Sequence, residues 1–289
     1  MKIIFSRKGF DSTYGGVPSP IFPDGSLMPF PIPTKKRGRP LEEIRDPSGT
    51  SISKIVSDLT NNEIGSTNLV HLDPDLQSTS VDRRLGWRPS FGQASSAQQH
   101  LANQNVGQGD LFLFFGWYRR IQKTGNKWEY MPNCRGIHCI FGWLQIDEVI
   151  LLDGNRNKTS EKRPWLYDHP HIAEPSDTRN DTLYLSRETL SLFPREKNFP
   201  GAGIFNHWAA QLQLTTPGKS RSNWQLPLWM KQPQSTLPPL TYHGRMDRWT
   251  NDDKFAYLKS VAKGQEFVQD IKSSHEAIRW LKSLFRNCA

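Results

Sequence analysis

Cysteines and long apolar runs are scarce in this chain, and each scarcity excludes a class of protein. Three cysteines in 289 residues do not form the paired framework of a small secreted protein, so we expect the reducing cytosol as its compartment. No apolar stretch approaches the roughly 20 residues that a transmembrane helix needs. Charge returns soon after Ile3, Ile4 and Phe5, which is too early for a signal peptide. We therefore expect a cytoplasmic protein without a membrane partner, whose first residues form a β-strand.

Internal repeats and low-complexity tracts are absent, and two common ligand-binding motifs are incomplete. Residues 218–220 (GKS) have no glycine at the upstream position that a Walker A loop requires, so they do not form one. Cys134, His138 and Cys139 lack the paired spacing of a zinc site. Residues 169–171 (HPH) have no further ligand nearby in the sequence. We therefore predict no metal site from these residues.

Basic residues are in surplus, and the surplus favours a polyanionic partner. The chain has 37 Lys and Arg against 28 Asp and Glu, which gives a net charge of +9. Such a charge attracts a nucleic acid or a nucleotide, whatever the base sequence. With 36% hydrophobic residues, ten Trp and fifteen Phe, the chain can bury a sizeable core. We predict a single unit over residues 1–289, with an exposed basic loop over residues 34–50.

The order of the apolar patterns predicts an α+β fold, because strands come first and helices last. Residues 110–118 form a nearly continuous apolar run, which is typical of a strand buried on both faces. Residues 136–149 supply the return strand. Helices are predicted at residues 51–59, 95–104, 253–262 and 274–285, the last of them amphipathic. We expect a mixed or antiparallel twisted sheet, or a small barrel, with the helices packed around it.

Small and polar residues follow the first strand, and loops in that position often carry function. Arg7 and Lys8 are suited to phosphate, the first as a planar fork and the second as a point charge. Asp11 is suited to orient a hydroxyl group or to move a proton. Ser6 and Ser12 lie beside these residues and complete an anion-binding loop. The structural alternative is a solvated turn held by an ordinary ion pair.

A histidine alternates with two aspartates where the next strand is predicted to end. His71 and Asp73 are suited to general-base catalysis, in which the carboxylate orients the imidazole. We include Asp75 with them as a catalytic candidate. A divalent metal is the weaker interpretation, because one histidine and two carboxylates are too few ligands. The structural alternative is a turn in which Asp73 caps the local backbone.

Arginines are interleaved with aromatic residues at two places, residues 83–88 and residues 117–120. This combination stacks nucleobases and holds their phosphates. Trp117 and Arg119 are the candidates that stack on a base and clamp it. The structural alternative is that the tryptophans fill the core while the arginine stems cover it.

Three further residues lie in turns or glycine-punctuated segments and complete the candidate pocket. Asp24 belongs to an Asp-Gly hairpin turn between apolar flanks. Arg221 lies in a basic, hydroxyl-rich loop, and His243 directly precedes a glycine.

Residues 36–40 (KRGRP) resemble an AT-hook core, but a single copy favours an exposed charged loop.

Nine stretches spread over nearly the whole chain carry a family resemblance. They are residues 5–12 (FSRKGFDS), 16–25 (GVPSPIFPDG), 71–75 (HLDPD), 91–93 (FGQ), 109–117 (GDLFLFFGW), 200–205 (PGAGIF), 212–218 (LQLTTPG), 242–244 (YHG) and 264–268 (GQEFV). Together they resemble the bacterial and phage family known as nucleotide modification associated domain three. The resemblance implies a role linked to modified nucleobases in DNA, without a reaction. Separately, residues 109–117 look similar to the barrels of PUA, EVE and ASCH domains, which hold RNA or modified bases.

Three functional hypotheses follow, and the sequence leaves all three open. The leading one is a nucleotide- or nucleobase-modifying enzyme, for which the sequence specifies neither the reaction nor a cofactor. Its catalytic candidates are Asp11, His71, Asp73 and Asp75, and its substrate- or phosphate-binding candidates are Ser6, Arg7, Lys8, Ser12, Asp24, Trp117, Arg119, Arg221 and His243. The first alternative is a non-catalytic reader of modified bases in DNA or RNA. The second is a subunit that binds an operon-encoded protein partner in a modification or defence system.

Overall fold

The computed structural model describes residues 1–35, 38–173, 179–196, 198–231, 236–262 and 264–288. Within these ranges the chain forms fifteen β-strands and five α-helices. The strands are β1 (Lys2–Arg7), β2 (Ser19–Ile21), β3 (Ile32–Pro33), β4 (Arg39–Pro40), β5 (Leu69–His71), β6 (Ser90–Gln93), β7 (Leu111–Thr124), β8 (Lys127–Tyr130), β9 (Ile137–Leu151), β10 (Thr182–Ser186), β11 (Ala202–Ile204), β12 (Asn223–Pro227), β13 (Trp249–Asn251), β14 (Phe255–Lys259) and β15 (Glu266–Asp270). The helices are α1 (Ser53–Leu59), α2 (Ser95–Asn103), α3 (Arg156–Lys162), α4 (Pro170–Ala173) and α5 (His275–Cys288).

Nine of the strands form one mixed sheet, which confirms the predicted α+β class. Its main path runs β15-β1-β7-β9-β10-β6, while β2 and β8 pair with β7 and β11 pairs with β9. Strands β1 and β2 run parallel to β7, and the other pairs of this sheet are antiparallel. The predicted apolar run lies in β7 at the centre of the sheet, where residues 111–116 are all buried.

The two ends of this path meet through side chains, and the sheet does not close into a barrel within the described ranges. The small-barrel alternative is therefore wrong. Gln93 on β6 donates from Nε2 to Oε1 of Glu266 on β15 at 2.5 Å. Lys8, which follows β1, donates from Nζ to the same oxygen at 3.0 Å. The sheet is thus curved enough to bring its outer strands together around a buried polar contact.

Two three-stranded antiparallel sheets, β3-β5-β4 and β12-β14-β13, complete the strand pairing. Strand β14 corrects a prediction, because residues 253–262 were expected to be helical. The side chains of Phe255–Lys259 alternate between exposed and buried positions, and this two-residue period is that of a strand. The first small sheet is next to a second hydrophobic core, which contains Val70 of β5 together with Ile55 and Val56 of α1.

Helix α5 confirms the predicted amphipathic helix near the C-terminus. Its buried residues, Ala277, Leu281, Leu284 and Phe285, belong to the main hydrophobic core. With 14 residues it is the longest α-helix in the described ranges, and a membrane span needs roughly 20. No helix in those ranges is therefore able to cross a bilayer.

The segment predicted as an exposed basic loop, residues 34–50, contains ordered and buried positions. Arg39 and Pro40 form β4, which pairs with β5. Leu41 and Ile44 are buried in the second hydrophobic core. The first two basic residues of the AT-hook-like stretch, residues 36 and 37, lie outside the described residues.

Candidate functional site

Three of the predicted substrate-binding residues come together at one surface. The Arg221 guanidinium lies over the Trp117 ring, with Cζ 4.3 Å from the ring centroid. Its Nη2 donates to Ser12 Oγ at 2.9 Å. Strand β7 places Arg119 two residues after Trp117, on the same face of the strand. We term Ser12, Trp117, Arg119 and Arg221 the arginine–tryptophan surface.

Ser6, Arg7 and Lys8 are tied to the interior of the sheet more closely than a phosphate-binding loop requires. Ser6 is fully buried, and the Lys8 side chain, which pairs with Glu266, is 7% exposed. Arg7 is partly buried, and its Nη1 donates to the backbone carbonyl of Ala262 at 2.9 Å. Of these three residues Arg7 retains the most exposure, so a phosphate contact stays a prediction for that residue.

Asp11, Asp24 and His243 bond to nearby backbone groups, which is the structural alternative to their predicted roles. Asp11 Oδ1 accepts from the N–H groups two and three residues later, both at 2.7 Å. Asp24 Oδ1 accepts from the N–H two residues later, and this bond lowers the Asp24 pKa. His243 is fully buried, with Nδ1 2.9 Å from a backbone carbonyl and Nε2 accepting a backbone N–H. These bonds stabilise turns and packing, and a substrate contact by any of the three stays a prediction.

A buried group of imidazoles and carboxylates surrounds Asp73. We term it the histidine–aspartate cluster, and its members are His71, Asp73, His169, His171 and Asp181. The Nε2 atoms of His71 and His171 lie 3.7 and 3.4 Å from Asp73 Oδ2. His169 Nε2 lies 3.8 Å from Asp73 Oδ1, and His171 Nδ1 lies 2.5 Å from Asp181 Oδ1. Side-chain exposure falls from 26% at His71 to 0% at Asp181, so the cluster reaches solvent at one end.

Close packing against β6 holds the cluster together. The N–H of Gly92 on β6 donates to Asp73 Oδ1 at 2.9 Å. A Cβ atom at Gly92 would lie 2.2 Å from the His171 ring, so this contact requires glycine. From the other side, Arg156 of α3 donates to Asp181. Strand β6 and helix α3 therefore hold the cluster from two sides.

Burial and mutual charge shift the pKa values of the cluster in opposite directions. Burial by itself would raise the pKa of Asp73, but hydrogen bonds from His171 and His71 hold it well below its usual range. Burial by itself would lower the pKa of His171, but Asp181 and Asp73 raise it to about 9. Burial lowers the pKa of His169 to about 3. The carboxylates therefore favour the protonated form of His171, whereas burial favours the neutral form of His169.

Sequence reasoning found His71 and Asp73 but missed their partners. Residues 169–171 were set aside because no further ligand lies nearby in the sequence, and the fold supplies Asp73 as their neighbour. Asp181 carried no motif at all. The available signal was the repeated spacing of a polar pair two residues apart, at residues 71 and 73 and at residues 169 and 171. That spacing does not reveal which pairs meet, because their contact depends on α4 and β5 being packed together.

Asp75 anchors an arginine and a tryptophan beside the cluster. Its two carboxylate oxygens accept from Arg83 Nη1 and Nη2, both at 2.6 Å. Trp87 Nε1 donates to Asp75 Oδ2 at 3.2 Å, and Arg83 Cζ lies 4.3 Å from the centroid of the Trp87 ring. Burial raises the pKa of Asp75, and the Arg83 donors oppose that shift. Asp75 thus serves to position Arg83 and Trp87, and its predicted catalytic role remains untested.

A cleft of about 310 Å³ opens next to Asp75 and is walled by three separate segments of the chain. Trp87 and Trp165 supply its indole rings, and His169 connects it to the histidine–aspartate cluster. Three arginines line the cleft, and each of them is paired with a carboxylate. The pairs are Arg39 with Glu43 and Asp168, Arg83 with Asp75, and Arg84 with Asp168. The walls therefore combine aromatic, aliphatic and charged side chains, and the positive charge of the three arginines is compensated.

Comparison with known proteins agrees with the family expected from the sequence. None of the curated proteins and none of the solved structures compared with the chain matches it. One family does match, over residues 2–270, a range that includes the arginine–tryptophan surface, the histidine–aspartate cluster and the cleft. The description of that family associates it with nucleotide modification. The chain belongs to the nucleotide modification associated domain 3 family.

Proposed function

We propose that the protein binds a nucleobase in the cleft beside Trp87 and Trp165 and modifies it there. The observation that carries the proposal is the wall that the cleft shares with the histidine–aspartate cluster. His169 lines the cleft, and its Nε2 is 3.8 Å from Asp73 Oδ1. Only the His169 side chain would thus separate a base in the cleft from the proton donors and acceptors of the histidine–aspartate cluster. The family description, which concerns nucleotide modification, points to the same class of substrate.

The size and charge of the cleft favour a heteroaromatic ring over a free phosphate group. A volume of about 310 Å³ is near the lower end of the ~300–1,000 Å³ that small-molecule sites occupy. Indole rings such as that of Trp165 offer stacking surfaces that accept any base. Because Arg39, Arg83 and Arg84 are already paired with carboxylates, the cleft has little uncompensated positive charge for a phosphate.

The burial of the cluster favours an enzyme over a passive base-binding pocket. The side chains of Asp73, His169 and Asp181 are 5, 3 and 0% exposed. Burying several ionisable groups costs free energy, and stacking a base does not require that cost. Groups of this kind beside a cleft are typical of catalytic sites. We therefore favour a nucleobase-modifying enzyme whose reaction and cosubstrate are to be identified by product analysis.

Base binding is tested by isothermal titration of nucleosides and mononucleotides into the full chain. We expect Trp165→Ala to weaken binding by about 1–3 kcal/mol, the usual contribution of a stacked base. Trp165→Phe should retain most of the affinity, because it keeps an aromatic face. The matched control is Trp128→Phe, a change at a partly buried tryptophan of the second hydrophobic core. Equal affinity of wild type and Trp165→Ala would contradict the proposed binding site.

Modification is tested by nucleoside mass spectrometry of host DNA with and without the gene. A modified nucleoside that disappears on deletion should return with the wild-type gene. It should stay absent with Asp73→Asn, provided that this variant accumulates as folded protein. If the nucleoside persists after deletion and the purified protein retains the modified oligonucleotide, the protein is a reader and the enzymatic proposal fails.

The arginine–tryptophan surface favours that second function, binding of a polynucleotide. Its guanidinium and indole groups form the combination that tracks a backbone and stacks bases in single-strand binding proteins. We expect Arg221→Gln to lower affinity for oligonucleotides and to reduce the slope of log K against log salt by about 1. The control is Arg245→Gln, which changes an exposed arginine paired with Asp247. An affinity that does not depend on salt would exclude this surface as a phosphate contact.

The proposal includes a cytosolic location for the protein. Its cysteines, Cys134, Cys139 and Cys288, are free thiols. Free thiols agree with a reducing compartment, in which disulfides are rare. Fractionation of host cells followed by immunoblotting would test the location directly.

A further inference from the structure

We propose that the histidine–aspartate cluster binds one divalent first-row transition metal ion through His71 Nε2, Asp73 Oδ2 and His171 Nε2. One ligand atom from each of these three residues lies within 4.8 Å of those from the other two. Around an ion with bonds of about 2.1 Å, the ligand atoms of a tetrahedral site are about 3.4 Å apart. Asp73 Oδ2 is 3.4 Å from the Nε2 atom of His171 and 3.7 Å from that of His71, so the carboxylate already lies close to this separation from both histidines. Two imidazoles and one carboxylate are the ligand set of catalytic zinc sites and of non-haem iron sites.

The two oxygens of Asp73 have different surroundings, which leaves one of them for the ion. Oδ1 accepts the N–H of Gly92 at 2.9 Å and faces His169 Nε2. Oδ2 faces the Nε2 atoms of His71 and His171. The hydrogen bond to Oδ1 restricts the rotation of the carboxylate. Oδ2 is therefore already oriented to coordinate an ion as the single oxygen ligand.

His171 has the outer partner that metal-bound histidines usually have. Its Nδ1 lies 2.5 Å from Asp181 Oδ1, and Arg156 donates to the other oxygen of Asp181. A histidine that donates its Nδ1 proton to a carboxylate presents Nε2 on the opposite side of the ring, and an ion that binds there displaces any proton that Nε2 carries. For His171 that side is the gap shared with Asp73 Oδ2 and His71.

His169 gives an independent indication that a bound group organises this site. Its Nε2 is buried and has no hydrogen-bond partner among the described residues, although it lies 3.8 Å from Asp73 Oδ1. The backbone N–H of His171 donates to His169 Nδ1 at 3.3 Å, so Nδ1 accepts and Nε2 is the nitrogen left to donate. A buried donor that stops short of its acceptor is costly. A buried polar atom without a partner is typical of a site that binds an ion or another small group.

Three protein ligands leave coordination positions open, which is a property of catalytic rather than purely structural metal sites. The His71 side chain is 26% exposed, so water or a substrate oxygen can reach the ion from that side. The inference goes beyond base binding and does not depend on it, because metal uptake is measured without any nucleotide.

The test is metal titration of the full chain, produced without a polyhistidine tag and stripped with a chelator. We expect wild type to take up one equivalent of Co²⁺, with visible d–d absorption bands that Zn²⁺ abolishes by displacement. His71→Gln and Asp73→Asn each remove one of three ligands, and their affinity should fall by at least about 100-fold. The control is His100→Gln, which changes a partly buried histidine outside the cluster and should bind as wild type does. The proposal is overturned if wild type takes up no ion, or if both cluster variants bind it unchanged.

Asp181→Asn tests the outer partner, and a spectroscopic measurement on wild type guards against misfolded variants. The substitution should weaken the metal by about 10–100-fold, the usual effect of losing such a partner. X-ray absorption of the Zn²⁺-loaded wild type should show two imidazoles and otherwise oxygen ligands. A shell that contains sulfur, or oxygen alone, would place the ion elsewhere. Titrating nucleosides into the stripped protein separates the two proposals, since base binding can then succeed or fail without the ion.

Discussion

At the scale of the residue, His138 is a buried imidazole that has to remain uncharged. Trp224 donates from Nε1 to His138 Nδ1 at 3.0 Å, and that nitrogen can accept only while it is unprotonated. Burial lowers the pKa of His138 to about 3, helped by the positive charges of Arg7 and Arg221. The unfolded chain binds the same proton near pH 6.5. The contribution of His138 to stability is therefore complete above pH 6.5 and is lost as the pH falls toward 3.

We expect His138→Gln to flatten the acid side of the stability profile. Glutamine keeps an oxygen that can accept from Trp224, but it has no proton to take up. Between pH 6.5 and 4.5, the free energy of unfolding should fall less steeply for the variant than for wild type, by up to about 1.4 kcal/mol per pH unit. Urea unfolding at half-unit pH steps measures the difference, with the exposed His207→Gln as control. Parallel profiles for His138→Gln and wild type would show that this imidazole does not set the acid response.

At the scale of the element, strand β6 separates two polar groups that lie on its opposite faces. Gly92 packs against the His171 ring, and its backbone N–H donates to Asp73. Its Gln93 points the other way and bonds to Glu266. A strand of four residues thus supports both the histidine–aspartate cluster and the contact between the outer strands of the main sheet.

Gly92→Ala should disturb β6 on the cluster side. The added methyl group would meet the His171 ring at 2.2 Å, and overpacking of this kind costs about 1–3 kcal/mol of stability. We expect a lower free energy of unfolding and weaker uptake of Co²⁺. The matched control is Gly107→Ala, because a Cβ atom there meets nothing within 4 Å. If thermal unfolding and metal uptake of Gly92→Ala equal those of the control, the close approach is not needed.

The elements also show what the sequence could reveal and what it could not. The run at residues 110–118 predicted β7 correctly, because a strand covered on both faces has to be apolar throughout. The helix predicted at residues 253–262 was wrong. Buried and exposed side chains alternate there over only five residues of a charged segment, and so short an alternation is easily mistaken for one face of a helix. Sequence reasoning identified only part of the histidine–aspartate cluster for a similar reason. Local spacing identified His71 and Asp73, whereas their contact with His171 arises from tertiary packing that no local pattern encodes.

At the scale of the whole molecule, the buried carboxylate of Glu266 joins the two ends of the main sheet. Lys8 Nζ lies 3.0 Å from Glu266 Oε1 and 4.4 Å from the centroid of the Phe91 ring. Gln93 donates to the same carboxylate oxygen. Strands β1, β6 and β15 therefore meet at one carboxylate, which is 1% exposed.

Glu266→Gln should destabilise the whole fold, because it leaves the Lys8 ammonium buried without a counter-charge. Breaking one partner of a buried ion pair costs about 3–5 kcal/mol. The double variant Glu266→Gln, Lys8→Met should recover much of that loss, since it removes the orphaned charge as well. Chemical unfolding of Glu266→Gln, of Lys8→Met and of the double variant measures the coupling. A Glu266→Gln protein as stable as wild type would show that Lys8 reaches solvent.

The pairing of β1 with β15 has a consequence for how the chain is made in the cell. Residues 2–6 of β1 pair with residues 266–270 of β15 on one side and with β7 on the other. During translation the edge of β1 that β15 covers stays open until residue 270 has left the ribosome. Until then β1, which contains Ile3, Ile4 and Phe5, has one open edge, although these residues are fully buried in the finished protein, and such edges promote aggregation. We therefore expect nascent chains of this protein to be prone to aggregation until β15 has been made.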